Sequence, residues 1–144
     1  MQPPSLEEED MSTVPVTYHG EEFDGYVVNR KGDILNTRTM NYLTASPDST
    51  CHYPRVSLKT KTGKYKKVLL HRIVAEAFIP LKRPENSNIT EQEWQNTPDS
   101  VKKFLMKNMI VNHIDHNKEN YYYKNLEWVT QEENARARNE FYGV

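Results

Sequence analysis

The chain has 144 residues, 36% of them hydrophobic and 27% charged, with a formal net charge of −1 and a single cysteine. That length suits one domain with a short appendage and a core that needs no staples. No apolar run approaches 18 residues, which argues against a transmembrane helix, and Cys51 alone can form neither an internal disulfide nor a thiolate zinc finger, so a reducing, cytoplasmic setting is expected.

The charge is unevenly spread. Residues 1–24 carry seven acids and no lysine or arginine, residues 25–80 carry ten basic residues against three acids, and residues 81–144 carry nine against ten. A basic segment behind an acidic leader is a cue for a polyanionic partner. Residues 1–17, which include MQPPSLEEED, have little to bury and are expected to be a disordered leader. They also lack the basic-then-apolar order of a signal peptide.

From Glu22 short apolar clusters begin. FDGYVVNRKGDILN reads as a hairpin, Gly25–Asn29 and Asp33–Asn36 around Arg30-Lys31-Gly32-Asp33. Residues 44–52 read as a loop. YPRVSLKTKTGKYKKVLL alternates, with Val56 and Leu58 on one face and a turn at Lys61-Thr62-Gly63, so a second hairpin is expected. Residues 71–79 have helical spacing that puts Ile73, Val74, Ala77 and Phe78 on one face, and Pro80 stops them. Residues 18–80 thus read as a β-rich module ending in a helix.

Residues 81–108 read as a polar loop and then a helical insertion, one helix or two broken near Pro98, with Thr97 as cap and Pro98 at the first helical position. Residues 109–144 follow the order strand, polar loop, strand, helix. The strands are Met109–His113 and Leu126–Val129, and Thr130 with Glu133 forms a capping box that starts the helix. The fold class expected from this order is α+β.

The last unit holds the chemistry. Asn112 and His113 end one strand, Asn125 closes the loop and Asn134 lies in the first helical turn. If the strands pair and the helix packs across them, Asn112, His113 and Asn134 converge at one edge. A histidine with an ordinary pKa near ~6.5 can take a proton from water at neutral pH. Amide oxygens suit a hard divalent cation such as Mg²⁺ or Mn²⁺, with a substrate phosphate completing a shell that two neutral ligands hold weakly. Phosphodiester hydrolysis fits that set.

VNHIDHNKEN, NLEWVT and the following EN, with HRIVAEAFIP upstream, resemble the HNH (ββα-metal) homing endonucleases of phages and mobile introns. GYVVNRKGDILN and YPRVSLKTKTGKYKKVLLHRIV resemble the DNA-binding module that commonly precedes that motif. The resemblance covers residues 18–80 and 109–138. It implies His113 as general base, Asn112 and Asn134 as ligands of a single Mg²⁺ or Mn²⁺ ion, and Asn125 as the residue that orders the loop and orients the histidine. It implies double-stranded DNA as partner, no small-molecule cofactor, no membrane, and a phage-infected or bacterial host. His116 stands where relatives usually have glycine at a turn. Residues 81–108 enlarge a link that is normally short. No helix-turn-helix follows the last helix in this sequence, so specificity is expected from the N-terminal strands, from a homodimer, or in relaxed form.

Other residues take plainer roles. Asp115 reads as a turn carboxylate, His71 as a cap or packing residue, Tyr121–Tyr123 as loop packing with one ring available for a base, and Trp128 as core. Lys59, Lys61, Lys64, Lys66 and Lys67 cluster on the second hairpin, a ribbon of the width of a DNA major groove, where lysines bind phosphates. Arg30, Lys31, Arg38, Arg55 and Arg72 complete the expected DNA face, the arginines being suited to grip guanine edges. Arg136 and Arg138 are placed to hold the scissile strand. The expected function is site-specific, metal-dependent DNA cleavage; a catalytically inactive DNA-binding regulator and a sequence-lax nuclease are the alternatives.

Overall fold

The structure is a computed structural model that describes residues 5–47, 53–84 and 87–142. It is α+β, built on three antiparallel sheets and five helices among the described residues. The first sheet holds β1 (Val14–Tyr18), β2 (Glu21–Val28), β3 (Ile34–Asn36) and β4 (Asn41–Tyr42) in that order. His19 and Gly20 join β1 to β2 with φ of 52° and 81°, both in the left-handed region that matches the twist of a two-residue hairpin. Asn29 knots the next turn. It is almost fully buried, its Oδ1 accepts from the Lys31 and Asp33 amides, and its Nδ2 donates to Asp33 Oδ2. A buried amide side chain satisfied this way fixes the hairpin the sequence points to at residues 30–33.

The second sheet holds β5 (Ser46–Pro47), β6 (Pro54–Lys59) and β7 (Tyr65–Leu69). Val56, Leu58 and Val68 turn one face into the core, as the alternation predicts. The expected loop at residues 44–52 contains β5, and residues 48–52 lie outside the described ones. From β7 the chain runs directly into α2 (Leu70–Phe78), whose Ile73, Val74 and Ala75 are wholly buried against β1 and β6. Ala77 and Phe78 are only partly buried, so the inward face is rotated toward the start of the helix relative to the expected one.

Residues 5–17 are not the featureless leader expected. Ser5 caps α1 (Leu6–Met11) with a full capping box to Glu8, and β1 begins at Val14. The acids supply that box and fill the first turn of the helix, where negative charge is favoured. The helix is also tied down from outside: the Tyr122 hydroxyl donates to the Asp10 carboxylate, and Arg30 donates to the Glu9 carbonyl. A search for apolar content alone misses such polar anchoring.

Residues 91–106 form two helices, α3 (Glu91–Gln95) and α4 (Asp99–Met106). Pro98 itself stands at the N-cap of α4, one position earlier than expected. The third sheet pairs β8 (Ile110–His113) with β9 (Leu126–Val129), and α5 (Gln131–Tyr142) packs beside β8. Val111 and Leu126 from this last unit lie in the same core cluster as Val16, Phe23, Leu58 and Ile73.

Candidate functional site

β8 and β9 pair in the register Val111 with Trp128, Asn112 with Glu127 and His113 with Leu126. Successive residues of a strand point to opposite faces, and directly opposed residues share one. His113 therefore faces inward with Leu126, and its side is 4% exposed overall. Asn112 faces the other way with Glu127 and is half-buried. The expected convergence of Asn112 and His113 at one edge thus needs correction. The two sit next to each other along the strand but serve opposite faces of it.

His113 lies in a cluster of rings. Its imidazole is 4.7 Å from that of His71 and 5.6 Å from the stacked ring of Tyr53, centroid to centroid, and Lys118 Nζ sits 4.8 Å over Tyr53. His113 Nε2 and His71 Nδ1 are both buried with no hydrogen-bond partner among the described residues. Burial holds the His113 imidazole below its ordinary pKa; Asp115 pulls the other way and Lys118 adds to the lowering. His71 is pushed down to about 3, by burial first and then by the charges of His113 and Arg72. Both rings are therefore neutral at pH 7, and a neutral imidazole with a bare nitrogen is the form a general base requires.

The loop after β8 is held by Asn125, within a short helical turn at Tyr123–Asn125. Asn125 Oδ1 accepts from the Asp115 amide, its Nδ2 donates to Asp115 Oδ1 and to the Asn120 carbonyl, and its own carbonyl accepts from the Ile114 amide. Asp115 also accepts from the Asn117 amide and from Asn120 Nδ2. The Asn120, Asn117 and Asn125 bonds together hold its carboxyl below the usual range. Asp115 is therefore the turn carboxylate expected, and Asn125 orders the loop without a hydrogen bond to His113. His116 has φ 61°, the left-handed conformation that a glycine would adopt without strain.

On the other face, Asn112 Nδ2 donates to Glu127 Oε1 at 2.9 Å. A carboxylate only accepts, so the amide nitrogen must point at Glu127 and the amide oxygen away from it. Thr130 Oγ1 accepts from the Glu133 amide and starts α5, and the Asn134 amide donates to the Thr130 carbonyl, which sets Asn134 half-buried in the first turn. No cluster of three or more histidine, cysteine, aspartate or glutamate residues that could hold a metal occurs among the described residues. The oxygen donors this unit offers are the amides of Asn112 and Asn134 and the Glu127 carboxylate, groups suited to a hard cation and not to zinc.

The expected DNA face divides. Lys31, Arg38, Lys59, Lys61, Lys64, Lys66, Lys67 and Arg136 are exposed, and Arg138 is on α5 with its side chain outside the described residues. A groove of about 690 Å³ runs between the two hairpins, with Tyr26, Arg38, Lys59, Lys61 and Tyr65 among its walls. Lys66 pairs with Leu58 across the sheet, so it leaves from the core face, reaching Glu21 at 3.4 Å and lying over Tyr18. Lys59 and Lys67 leave from the outer face with Tyr65.

Two arginines are turned inward, contrary to expectation. Arg72 is buried, bonds Glu76 at 3.0 Å, donates to the carbonyls of Met106 and Met109, and stacks on Trp128. Arg30 lies over the rings of Phe78 and Tyr123 and bonds Glu9. Both sit where a planar guanidinium can satisfy several carbonyls and rings at once, a use that a count of charges does not reveal. Arg55 is half-buried on β6.

The sequence reading passes over Tyr53 and Glu127, and for His71 it favours a capping or packing role with a place near the active site as the rival. Tyr53 had no signal. Glu127 had one, since closing the hairpin at Asn125 and counting back sets it opposite Asn112.

Residues 104–136 match the profile of the HNH endonuclease family. Two uncharacterised HNH endonucleases of Acanthamoeba polyphaga mimivirus are similar. One is 31% identical over 116 residues, 81% of this chain and 23% of that protein; the other is 30% identical over 128 residues, 86% and 31%. The chain therefore spans less than a third of the length of these relatives. A solved structure of DNA binding and cleavage by the HNH homing endonuclease I-HmuI superposes with a TM-score of 0.64 at 25% identity, covering 93% of this chain and 61% of that one. The ββα unit, the β-rich module before it and these matches agree: residues 104–136 match the HNH endonuclease family, within a chain similar to HNH endonucleases over most of its length.

Proposed function

We propose that the chain is a metal-dependent, site-specific DNA endonuclease of the homing type that hydrolyses phosphodiester bonds in double-stranded DNA of the cell cytoplasm. The observation that carries the reading is the neutral, buried His113 with an unpartnered Nε2 at the end of β8, in the unit that matches the family. His113 takes the proton of the attacking water, and the neutral His71 ring beside it adds no positive charge to oppose that step. Asn125 and Asp115 hold the loop that follows, so the strand end does not fray. Asn112 and Asn134 fit a single Mg²⁺ or Mn²⁺ ion through their amide oxygens. When bound, such an ion supplies charge stabilisation at the phosphate and the leaving oxygen. Substrate phosphates would complete its shell.

The exposed lysines of β6 and β7 and the groove with Arg38 support DNA as the partner. Their role is mostly to hold phosphates, with Arg38 and Lys31 available to base edges. A homodimer would supply a second reader.

Supercoiled plasmid carrying host or related DNA should be nicked or linearised in Mg²⁺ and left intact in EDTA, and sequencing the ends gives the site and the strands cut. His113→Ala should lose at least ~100-fold in cleavage, the scale of a general base, while retaining DNA binding. His113→Gln, closer in volume, separates lost chemistry from lost packing. Full cleavage by both variants would sink the mechanism, and metal-independent DNA binding with no cleavage of any cognate DNA would favour a regulator on this scaffold.

A further inference from the structure

Glu127 lies beyond the residues that the nuclease reading requires. It is directly opposite Asn112 in the β8–β9 register, and its Oε1 accepts from Asn112 Nδ2 at 2.9 Å. We infer that Glu127 is a positioning residue for the divalent cation: it fixes the rotamer of Asn112 and makes its amide oxygen a stronger donor. The inference rests on the proposed nuclease reading and names a regulator of its metal site.

An asparagine amide can flip, presenting either nitrogen or oxygen to the same point, and a nitrogen repels a cation. A carboxylate against the nitrogen removes that choice. A hydrogen bond from an amide N–H to an ionised carboxylate is also about twice as strong as a neutral one. It draws electron density through the amide toward the oxygen, as a second carboxylate does for a metal-bound histidine. Asn112 and Asn134 are both neutral, so Glu127 brings the site's only nearby formal negative charge on that face of the β8–β9 pair among the described residues. Trp128 and Leu126, its neighbours on β9, are turned to the opposite face and serve the core.

The test uses the full chain and Mn²⁺ alone, with free Mn²⁺ read by electron paramagnetic resonance and urea midpoints taken in parallel. Glu127→Gln keeps an acceptor and loses the charge; it should raise the Mn²⁺ concentration for half-saturation about 10- to 100-fold, the range seen for outer-shell partners of metal ligands. The urea midpoint should stay close to that of the parent. Asn112→Asp carries its own charge, so adding Glu127→Gln to it should change half-saturation less than about 3-fold. Half-saturation unmoved by Glu127→Gln, with binding still lost in Asn112→Ala, overturns the inference and leaves the nuclease reading standing. A lowered urea midpoint with unchanged Mn²⁺ affinity also overturns it, by assigning Glu127 to the sheet alone. Binding untouched by Asn112→Ala and by Asn134→Ala removes the metal assignment itself and the inference with it.

Discussion

Gly32 shows how a single residue ties the first hairpin to the loop of the ββα unit. Its φ is 87°, and a Cβ built there would lie 2.5 Å from Cδ2 of Tyr121, a contact no real side chain makes. Gly32→Ala therefore combines left-handed strain with a displaced aromatic ring. It should cost roughly 1–3 kcal/mol, visible as a lower urea midpoint. His116 offers the contrasting case. With φ 61° on an exposed loop, it stands where glycine is comfortable, so His116→Gly should leave stability within about 1 kcal/mol and cleavage unchanged. Loss of cleavage in that variant would instead give His116 a part in holding the substrate. At this scale the sequence was readable where a residue acts through its own backbone or its near neighbours. Asp115 as a turn carboxylate and Thr130 as a cap follow from local spacing, and Asn125 as the organiser of the loop from the family resemblance. Tyr53 and His71 were not readable in the same way, because each meets His113 only in the folded chain; Glu127 was readable only by counting the hairpin register.

At the scale of elements, the β6–β7 hairpin carries a sharper expectation than its lysine count. Lys59 and Lys67 leave the outer face with Tyr65, while Lys66 is engaged with Glu21 and Tyr18. Lys59→Ala and Lys67→Ala should each weaken DNA binding and reduce the dependence of log K on log salt by about 1. Lys66→Ala should move that slope less, and equal slopes for all three variants would refute the sorting. Arg72 belongs to a different class. It ties α2 to the segment before β8 through the Met106 and Met109 carbonyls and pairs with a buried Glu76. Arg72→Met removes the counter-charge of Glu76 and leaves its carboxylate only the His19 and Gly20 amides; it should destabilise by about 3 kcal/mol, with an unchanged salt slope if the variant still folds. Strand alternation, the two hairpins, α2 and the final strand–loop–strand–helix order were legible from periodicity and capping. The rotation of α2 and the anchoring of α1 were not, since both are set by tertiary contacts that override local pattern.

Across the whole molecule, the buried histidines make stability depend on pH. The His71 imidazole binds a proton at about 6.5 when unfolded and only at about 3 when folded. Above pH ~6.5 both states are neutral there and the folded state loses nothing. Between ~6.5 and 3 the unfolded chain holds more protons, so stability falls as pH falls. At pH 5 this one residue should cost on the order of 2 kcal/mol relative to pH 7.5. Urea melts at the two pH values measure it, and His71→Leu should flatten the difference in part; an unchanged difference would mean that His71 is not the group responsible.

The seat that Gly32 provides for Tyr121 has a practical consequence for anyone who would recombine such chains. The ββα unit does not end at its own strands and helix. Its loop rests on the first hairpin, its Tyr122 holds Asp10 of α1, and its Val111 and Leu126 share the common core. A chimera that grafts residues 109–144 onto a foreign DNA reader would carry an aromatic side chain with no hollow to receive it and two apolar residues with nothing to cover them. If the proposed function holds, retargeting should start from surface exchanges on β6 and β7, where the side chains face outward, and leave the seam between the β-rich module and the ββα unit intact.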